Sequence, residues 1–427
     1  MTAADELVSA LHSNDADRVA AVLATHQELS PTLNEPLPGL PFDCAALMEA
    51  VRQCNRAMVD VLLKAGADVN ARSRWWAGGF APLDEADAEM AEFLISRGAT
   101  LDLHVAARLG WIDQARELIA KDPSRVHARG GDGQTPLHRA GSLEVAKLLI
   151  EHGADINALD VDHESTPAQY LVREHPEIAR ELLARGAKYD LLLVAALGDL
   201  TRVREILDRD PAAIRMSVHE HVFPKRNPHS AGSIYQWTLG AHKTAHQVAR
   251  EFGHRDVLAL LNEHSPVEVR FAEACAAGDE EELRSLRSAH PDLIERLGPA
   301  ELRRLPDAAR NDDAPAVRRM LAAGWPVDAA GHQGTALHWA CWLGNAEMVR
   351  DILRHQPDLE RKDADFGATP LGWAIHASVH GWHPDRGDYV GAVNTLLEAG
   401  AKAPKVNEEL SASSAVREVL LNRARSL

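Results

Sequence analysis

A repeated segment constrains the fold of this chain of 427 residues more strongly than any other feature of its sequence. Residues 133–157 read GQTPLHRAGSLEVAKLLIEHGADIN, and residues 334–353 (GTALHWACWLGNAEMVRDIL) and 57–70 (AMVDVLLKAGADVN) repeat parts of the same pattern. The threonine of TPLH can cap the start of a helix, and its proline lacks an N–H that the first helical turn does not need. A second helix carries apolar residues at helical spacing and ends at a glycine that can adopt the left-handed conformation. Because such a helix pair has one apolar face, it is stable only when it stacks on its neighbours.

The pattern can be followed through most of the chain as successive helix pairs. An opening pair at 4–24 precedes units at about 43–70, 81–100, 101–127, 133–158, 165–190, 191–215, 244–264, 268–297, 301–328, 334–358 and 368–402. The sequence therefore predicts an all-α fold of about eleven to twelve helix pairs, at a spacing of roughly 33 residues. We predict one continuous domain over 1–427, in which 1–42 form an N-terminal cap, 43–402 the repeats and 403–427 a polar closing helix.

These segments resemble the ankyrin repeat, whose signature holds TPLH, a pair of small residues, a glycine and a leucine-rich helix that ends in Gly-Ala-Asp. Further runs are similar to a bacterial multi-ankyrin family of unassigned activity: RSRWWAGGF (72–80), RGGDGQTPLH (129–138), DVDHESTPAQY (160–170), HSAGSIYQWTLG (229–240) and GWAIHASVHGWHPDRGDY (372–389). The resemblance covers essentially the whole chain. It implies an ankyrin-repeat solenoid in which hairpin fingers and the first helix of each unit line a concave groove, where ankyrin proteins usually bind partners.

Charge and cysteine content limit the functions expected of this scaffold. The net charge is −17, from 46 basic and 63 acidic residues, which argues against nucleic-acid and anionic-membrane partners. The amino-terminal residues lack the features of a signal peptide, and no apolar stretch approaches the ~20 residues of a membrane helix, so we expect a cytoplasmic protein. Neither a disulfide framework nor a thiolate zinc site is predicted from the four scattered cysteines, Cys44, Cys54, Cys275 and Cys341.

Three aromatic residues occupy the same position in their units. Trp339 follows TALH, Trp373 follows TPLG, and Tyr170 follows TPAQ. In the ankyrin template this position faces the groove, so two tryptophans one repeat apart can form a stacking surface for a sugar ring, a base or a side chain of a partner. The alternative is that these aromatic rings pack against a neighbouring finger.

The segment 158–166 contains four ionisable side chains within five residues, Asp160, Asp162, His163 and Glu164. Closely spaced carboxylates raise each other's pKa, which suits general acid and base catalysis, and their oxygens can also hold a hard cation. Neighbouring fingers add Asp132, and Asp365 beside Asp363, as further acidic groups. The alternative is an acidic turn exposed to solvent.

Three histidines, His376, His380 and His383, follow the TPLG segment. The first two lie four residues apart and share one face of a helix, and three imidazoles with a nearby carboxylate can bind zinc or iron. A divalent metal is therefore the one cofactor that the sequence suggests. The alternative is coincidence, because the chain has 22 histidines.

The segment 216–243 lengthens one finger well beyond the usual hairpin. Residues 234–238 contain strand formers, and residues 232–233 can turn the chain before them. Long segments of this kind often carry function, so we expect a lid or a contact arm over the groove, with Trp237 as a ligand-binding candidate. The alternative is an elongated hairpin without a binding role.

The segment 72–80 carries the remaining candidates for ligand binding. Trp75 and Trp76 stand beside a pair of glycines, which suits a finger whose backbone passes close to another group. Arg72 and Arg74 can clamp a carboxylate or a phosphate. The alternative is that the two tryptophans attach this finger to the next one.

The sequence leaves two hypotheses for function. The first is a binding protein whose concave groove recognises a protein or another ligand, and whose acidic residues favour a basic partner. The second is an enzyme, in the form of a hydrolase or lyase that acts on a carbohydrate-like substrate through paired carboxylates or a histidine-bound metal. Convergence of the segments 72–80, 160–166, 216–243 and 372–380 around one pocket would favour the enzyme.

Overall fold

The computed structural model describes residues 2–407 and 410–425, and all regular elements within these ranges are helices. This confirms the predicted all-α fold. The chain divides into two compact units, of which the first comprises Met1–Asp210 and Met216–Val257, and the second Pro211–Arg215 and Leu258–Leu427. The single continuous domain over 1–427 stays a prediction.

The first unit contains the α-helices that precede residue 252, and they are, in chain order, α1 Ala3–His12, α2 Ala16–Thr25, α3 Ala46–Arg52, α4 Arg56–Lys64, α5 Pro82–Glu85, α6 Ala88–Ser96, α7 Leu103–Arg108, α8 Ile112–Lys121, α9 Leu143–Glu151, α10 Pro167–Leu171, α11 Pro176–Ala184, α12 Leu191–Leu197, α13 Leu200–Arg209 and α14 Ala245–Glu251. Short 3₁₀ turns supplement them at Gln27–Thr32, Pro41–Asp43, Pro123–His127, Gly131–Gly133 and Pro136–Arg139.

The boundary between the units falls within α15 (Arg255–His264). The α-helices of the second unit are α16 Val267–Ala277, α17 Glu280–Ala289, α18 Pro299–Leu302, α19 Arg304–Arg310, α20 Ala314–Ala322, α21 Ala336–Trp342, α22 Ala346–Leu353, α23 Pro370–His380, α24 Tyr389–Glu398 and α25 Ser414–Arg425. The 3₁₀ turn Pro211–Arg215 also belongs to this unit. Residues 408–409 and 426–427 of the predicted closing helix lie outside the described residues.

In two repeats, the histidine of the TPLH or TALH segment joins its own repeat to the next. In α21, Nδ1 of His338 accepts the N–H of Thr335 (3.2 Å), and its Nε2 lies 3.2 Å from the backbone oxygen of Ala368 in the following repeat. Thr135 and His138 form the equivalent N-terminal contact in the first unit, at 3.1 Å. The side chain therefore caps its own helix and also binds the neighbouring finger, which fixes the register between these two repeats and the ones that follow them.

One repeat of the first unit has a shortened first helix, as the compressed sequence at 140–143 suggests. Residues Pro136–Arg139 form a single 3₁₀ turn before α9 begins. The N–H of Gly141 donates to the backbone oxygen of Ala107 (2.9 Å), and a Cβ atom on Gly141 would lie 2.1 Å from the backbone oxygen of Arg108. Only glycine permits this close approach of the shortened repeat to α7.

Apolar side chains fill the interior of each unit along the helix pairs. In the first unit, buried leucines, valines and methionines run from α1 to α7. In the second unit, a similar cluster runs from α16 to α25 and includes Trp325, Trp339 and Trp373. The stacked pairs therefore share a core over α1–α7 in the first unit and over α16–α25 in the second, as repeats with one apolar face require. Within the described ranges, no helix is both long and apolar enough to pass through a bilayer.

The expectation of strands in the long insertion (216–243) is wrong. Residues Gln236–Gly240 form a π-helical turn, and just before it the backbone oxygen of Ile234 accepts the N–H of Trp237 (2.9 Å) and of Thr238 (3.0 Å). Tyr235 is fully buried and donates its hydroxyl to Asp190 (3.0 Å). The β propensity of this segment is overridden because its backbone hydrogen bonds are satisfied locally and its aromatic ring is buried.

Candidate functional site

Backbone hydrogen bonds connect successive fingers of the first unit. The backbone oxygen of Gly78, in the first finger (72–80), accepts the N–H of Asp132 (3.3 Å). The backbone oxygen of Asp132, in the second finger (129–134), accepts the N–H of Val161 (2.8 Å). In the third finger (158–166), the oxygen of Asp162 accepts the N–H of Ala231 (3.1 Å) from the long insertion. Because the fingers are held in this order, the side chains of the second and third fingers meet at one place.

The side chains that meet there form the carboxylate cluster, which consists of Asp132, Asp160, Asp162 and His163. Asp132, Asp162 and His163 each offer an atom that lies within 4.8 Å of the other two. Both aspartates are buried, at 8% and 3% exposure. Burial, followed by the negative charge of Asp162, raises the pKa of Asp132 to about 6. The indole N–H of Trp75 donates to Oδ1 of Asp132 (2.9 Å), so the first finger also contributes to the cluster.

Asp160 holds the turn of the third finger. Its carboxylate accepts the N–H groups of His163 and Ser165 (both 2.7 Å) and the hydroxyl of Tyr170 (2.8 Å). Burial raises the pKa of Asp160, and these hydrogen bonds oppose that shift. The predicted position of Asp160 beside Asp162 and His163 is observed, but its oxygens are already used within the finger.

The long insertion contacts His163 on the side of the ring away from Asp162. Nδ1 of His163 lies 2.9 Å from the backbone oxygen of Gly232, and the ring of Trp237 lies 4.7 Å from the imidazole, centre to centre, in an edge-on arrangement. The ring of Trp76 in the first finger lies 5.8 Å from that of His229 in the insertion. Trp237 is 57% exposed, so it can contact a ligand from solvent.

Two of the charged candidates have internal partners. The carboxylate of Glu164 accepts the backbone N–H groups of Arg226 (2.9 Å) and Asn227 (2.8 Å), so it anchors the long insertion. Arg74 forms an ion pair with Glu35. These contacts assign Glu164 and Arg74 to holding loops in place, which sequence spacing alone did not indicate.

The second unit contains a separate cavity of about 560 Å³, which we call the tryptophan pocket. Its walls are formed by the aromatic and polar residues Arg310, Gln333, Trp339, Trp342, Phe366, Trp373, His376 and Trp382, with Ala368 and Gly372. The guanidinium of Arg310 lies 5.1 Å from the ring centre of Trp339 and 5.1 Å from that of Trp382. A volume of this size is in the range of pockets that bind small molecules or side chains of a partner.

The predicted stacking surface of Trp339 and Trp373 has a different form in the structure. Both side chains are buried, at 5% and 6% exposure, and their rings meet edge-on at 5.1 Å. The indole N–H of Trp373 donates to Asp363 (2.9 Å), as Tyr170 does to Asp160 in the first unit. Both rings line the pocket from inside the core, and Trp373 also anchors a finger through Asp363. The exposed aromatic residues at the pocket are Phe366 and Trp382.

Asp365 and the three histidines belong to the second unit. Asp365 is exposed and donates its N–H to Asp363 (2.9 Å). The rings of His376 and His380 lie 4.6 Å apart, and Nε2 of His380 lies 2.8 Å from the hydroxyl oxygen of Ser411. Among the residues that the structure describes, His376, His380 and His383 do not bring three ligand atoms within 4.8 Å of one another. This arrangement does not form the predicted three-histidine set, because Gly381 ends α23 before His383.

Comparison with known protein families agrees with the stacked helix pairs. The family described as ankyrin repeats in three copies matches residues 80–160 and 103–192, and the single ankyrin repeat matches residues 43–74 and 332–364. The chain is an ankyrin-repeat protein.

Known relatives of this ankyrin-repeat protein share only part of its length. It is 38% identical over 87 residues to the serine/threonine-protein kinase VIK of Arabidopsis thaliana, an alignment that covers 20% of the chain and 19% of the kinase. It is 37% identical over 68 residues to the palmitoyltransferase akr1 of Schizosaccharomyces pombe, which covers 15% of the chain and 11% of that enzyme. The chain thus spans less than a fifth of the length of either relative.

A solved structure, the human ASB11 ankyrin repeat domain, aligns with 72% of this chain and 100% of its own length. The sequence identity is 20% and the TM-score is 0.30.

Three of the four segments expected at one pocket converge in this ankyrin-repeat protein. The segments 72–80, 160–166 and 216–243 meet at the carboxylate cluster in the first unit, whereas 372–380 belongs to the second. Sequence reasoning missed Arg310, Trp342, Phe366 and Trp382 at the tryptophan pocket. The density of tryptophan over 339–382, four of the nine in the chain, was a usable signal. Nothing in the sequence near Arg310 indicates its place in the pocket.

Proposed function

We propose that this ankyrin-repeat protein binds a protein partner through the tryptophan pocket, which receives an apolar side chain together with a neighbouring carboxylate of the partner. The observation that carries the proposal is the guanidinium of Arg310. It lies against Trp339 and Trp382, and no carboxylate in residues 2–407 or 410–425 forms an ion pair or a hydrogen bond with it. A half-buried cation without an ion-pair partner favours an anionic ligand group.

The polarity of the pocket walls supports an acidic ligand group. The indole N–H of Trp342 is buried and has no acceptor in the described part of the chain. Burial lowers the pKa of the Arg310 guanidinium, and the charge of Asp307 opposes this shift. The guanidinium of Arg310 thus lies among aromatic rings at the pocket wall, and an incoming carboxylate can pair with it.

The negative charge of the whole chain restricts the binding of an acidic segment to sites with a local cation. A chain with a net charge of −17 repels acidic proteins in general. An acidic segment therefore binds only where a local cation compensates the repulsion, and aromatic residues with arginine are the groups that most often dominate binding energies at interfaces.

The test is an array of short peptides in which an aromatic or aliphatic residue precedes a position varied among Asp, Glu, Gln and Lys. We expect the purified chain to prefer Asp and Glu at that position. Arg310→Gln removes this preference, and Trp382→Ala weakens binding of the acidic peptides about tenfold or more. Val379→Ala is the matched control, because Val379 is exposed on α23 and is not a wall residue. Equal binding of the Gln and Glu peptides would overturn the proposal.

The enzyme hypothesis has support of a different kind. The pKa of Asp132, raised to about 6, lies near neutral pH, where a carboxyl group can act as an acid or a base. A hydrolase or lyase acting on a carbohydrate-like substrate at the carboxylate cluster therefore stays a prediction, and binding through the tryptophan pocket is the better supported function.

A further inference from the structure

The long insertion holds the imidazole of His163 in one tautomer. Nδ1 lies 2.9 Å from the backbone oxygen of Gly232, and because a carbonyl oxygen can only accept, Nδ1 carries the hydrogen. In the neutral ring, Nε2 therefore has a free lone pair. This nitrogen lies 3.6 Å from Oδ2 of Asp162, so a lone pair and a carboxylate oxygen are close neighbours.

Oδ2 of Asp162 has no hydrogen-bond donor in the part of the chain that the structure describes. Asp162 is 3% exposed, and only its Oδ1 accepts a hydrogen bond, from the N–H of Ala231 (3.2 Å). The separation of 3.6 Å from His163 is too long for a hydrogen bond. It does suit two atoms that bind one cation, because metal–ligand bonds of about 2.1 Å place neighbouring ligands roughly 3–3.5 Å apart.

Asp132 supplies a third ligand from the second finger. One atom each from Asp132, Asp162 and His163 lies within 4.8 Å of the other two. Trp75 occupies Oδ1 of Asp132, whereas Oδ2 has only a long contact of 3.4 Å with the amide of Gln134. No lysine or arginine among the described residues forms an ion pair with either aspartate.

We propose that Asp132, Asp162 and His163 bind a divalent transition-metal ion such as Zn²⁺ or Mn²⁺. One imidazole nitrogen and two carboxylate oxygens form a mixed set that such ions accept and that Mg²⁺, which prefers oxygen alone, uses less well. A histidine that binds a metal through one ring nitrogen usually donates a hydrogen bond from the other. Here the backbone oxygen of Gly232 accepts that hydrogen bond from Nδ1 and so orients the ring.

The bound ion joins the second finger to the third and, through His163, to the long insertion. Three protein ligands also leave a coordination position for water or for a ligand group. This site uses none of the residues of the tryptophan pocket, so its test and that of the proposed function are independent. The competing explanation for the same geometry is a second proton on His163, which would also place positive charge beside Asp162.

The experiment is isothermal titration of the full chain, freed of metal by a chelator, with Zn²⁺, Mn²⁺ and Mg²⁺ in turn. We expect one Zn²⁺ or Mn²⁺ per chain, with Mg²⁺ bound more weakly. Asp162→Asn and His163→Gln should each weaken the affinity about tenfold or more. Asp155→Asn is the control, because Asp155 is exposed in the preceding turn and is not part of the cluster, and its affinity should equal that of the unmodified chain.

A second measurement needs no variant and covers the case in which Asp162→Asn does not fold. Mn²⁺ is paramagnetic, so bound Mn²⁺ should broaden the indole N–H resonances of Trp75 and Trp237, which contact Asp132 and His163. Failure of Zn²⁺ and Mn²⁺ to bind at millimolar concentration would overturn the proposal and favour the protonated histidine. Binding that is unchanged by Asp162→Asn and His163→Gln would overturn it as well, since the ion would then lie elsewhere.

Discussion

The hydroxyl of Tyr170 donates to Oδ2 of Asp160 at 2.8 Å, across ten residues of the chain. The same relationship recurs in the second unit, where the indole N–H of Trp373 donates to Oδ2 of Asp363 at 2.9 Å, again across ten residues. Both carboxylates also accept backbone N–H groups of their own fingers. The aromatic residue that follows the TPLH-like segment therefore anchors the finger of its own repeat.

We expect Tyr170→Phe to lower the free energy of unfolding by about 1–2 kcal/mol, because it leaves a buried carboxylate without one of its donors. Denaturation in urea measures the change. The control is Tyr189→Phe, since Tyr189 is exposed and its hydroxyl makes only a 3.5 Å contact with Glu205. An equal loss in the two variants would show that the contact with Asp160 does not anchor the third finger.

The close packing of the second finger on the third predicts a strong penalty at Gly133. This residue has a φ of +68°, and a Cβ atom on it would lie 2.2 Å from Cγ2 of Val161. Gly133→Ala should therefore cost about 2–4 kcal/mol in the free energy of unfolding, from backbone strain and from the clash together.

Two further variants separate the contributions at Gly133. Gly153 has a φ of +89° with no atom within 4 Å of a Cβ, so Gly153→Ala should show the backbone strain alone, about 1–2 kcal/mol. Adding Val161→Ala to Gly133→Ala should restore part of the stability, since Val161 is partly exposed and costs little to shorten. No recovery in the double variant would mean that the clash is not the cause.

The carboxylate of Glu164 anchors the long insertion. Because its carboxylate accepts the N–H groups of Arg226 and Asn227, Glu164→Ala should free this segment and increase tryptic cleavage after Arg226 roughly tenfold. Limited proteolysis with mass spectrometry locates the cut. Glu174→Ala, a change at an exposed residue of the same unit, should leave the cleavage rate unaltered. Similar rates in both variants would contradict the anchoring role.

Stability should depend on the protonation of His138. Burial lowers the pKa of His138 to about 3, and both ring nitrogens are engaged, Nδ1 by Thr135 and Nε2 with the backbone oxygen of Ser165. Since the unfolded chain binds a proton near pH 6.5 and the folded chain does not, this group makes stability fall as pH drops below about 6.5, by up to roughly 1.4 kcal/mol per pH unit.

The measurement compares the slope of unfolding free energy between pH 7 and pH 5.5 in the unmodified chain and in His138→Gln. Asp132 and Asp307, whose pKa values burial raises to about 6 and about 7, act in the opposite direction, so the difference between the slopes is the tested quantity. Loss of His138 should reduce the destabilisation at low pH. His12→Gln, at an exposed position, should leave the slope unchanged, and an unchanged slope in His138→Gln would refute the prediction.

The helix pairs and the fingers could be predicted from the sequence because their causes are local. The caps, the helical spacing of apolar residues and the glycines that end helices recur in each unit, so the helices from α3 to α24 lie where the repeat pattern places them. The close approach of the segments 72–80, 160–166 and 216–243 to one another could be predicted in part, because the repeat pattern places each of them between successive helix pairs.

The chemistry of individual side chains could not be predicted in this way. Asp160 and Asp162 are two residues apart, yet Asp160 caps its own finger, whereas Oδ2 of Asp162 has no donor among the described residues. The difference arises because Tyr170 donates to Asp160 and the insertion donates to Asp162. The contacts of Arg310 could not be predicted from the sequence either, since Trp339 and Trp382 come from later repeats. Local pattern determined the repeat and its fingers, whereas only the stacking of distant segments decided which polar groups are satisfied and which remain to bind a ligand.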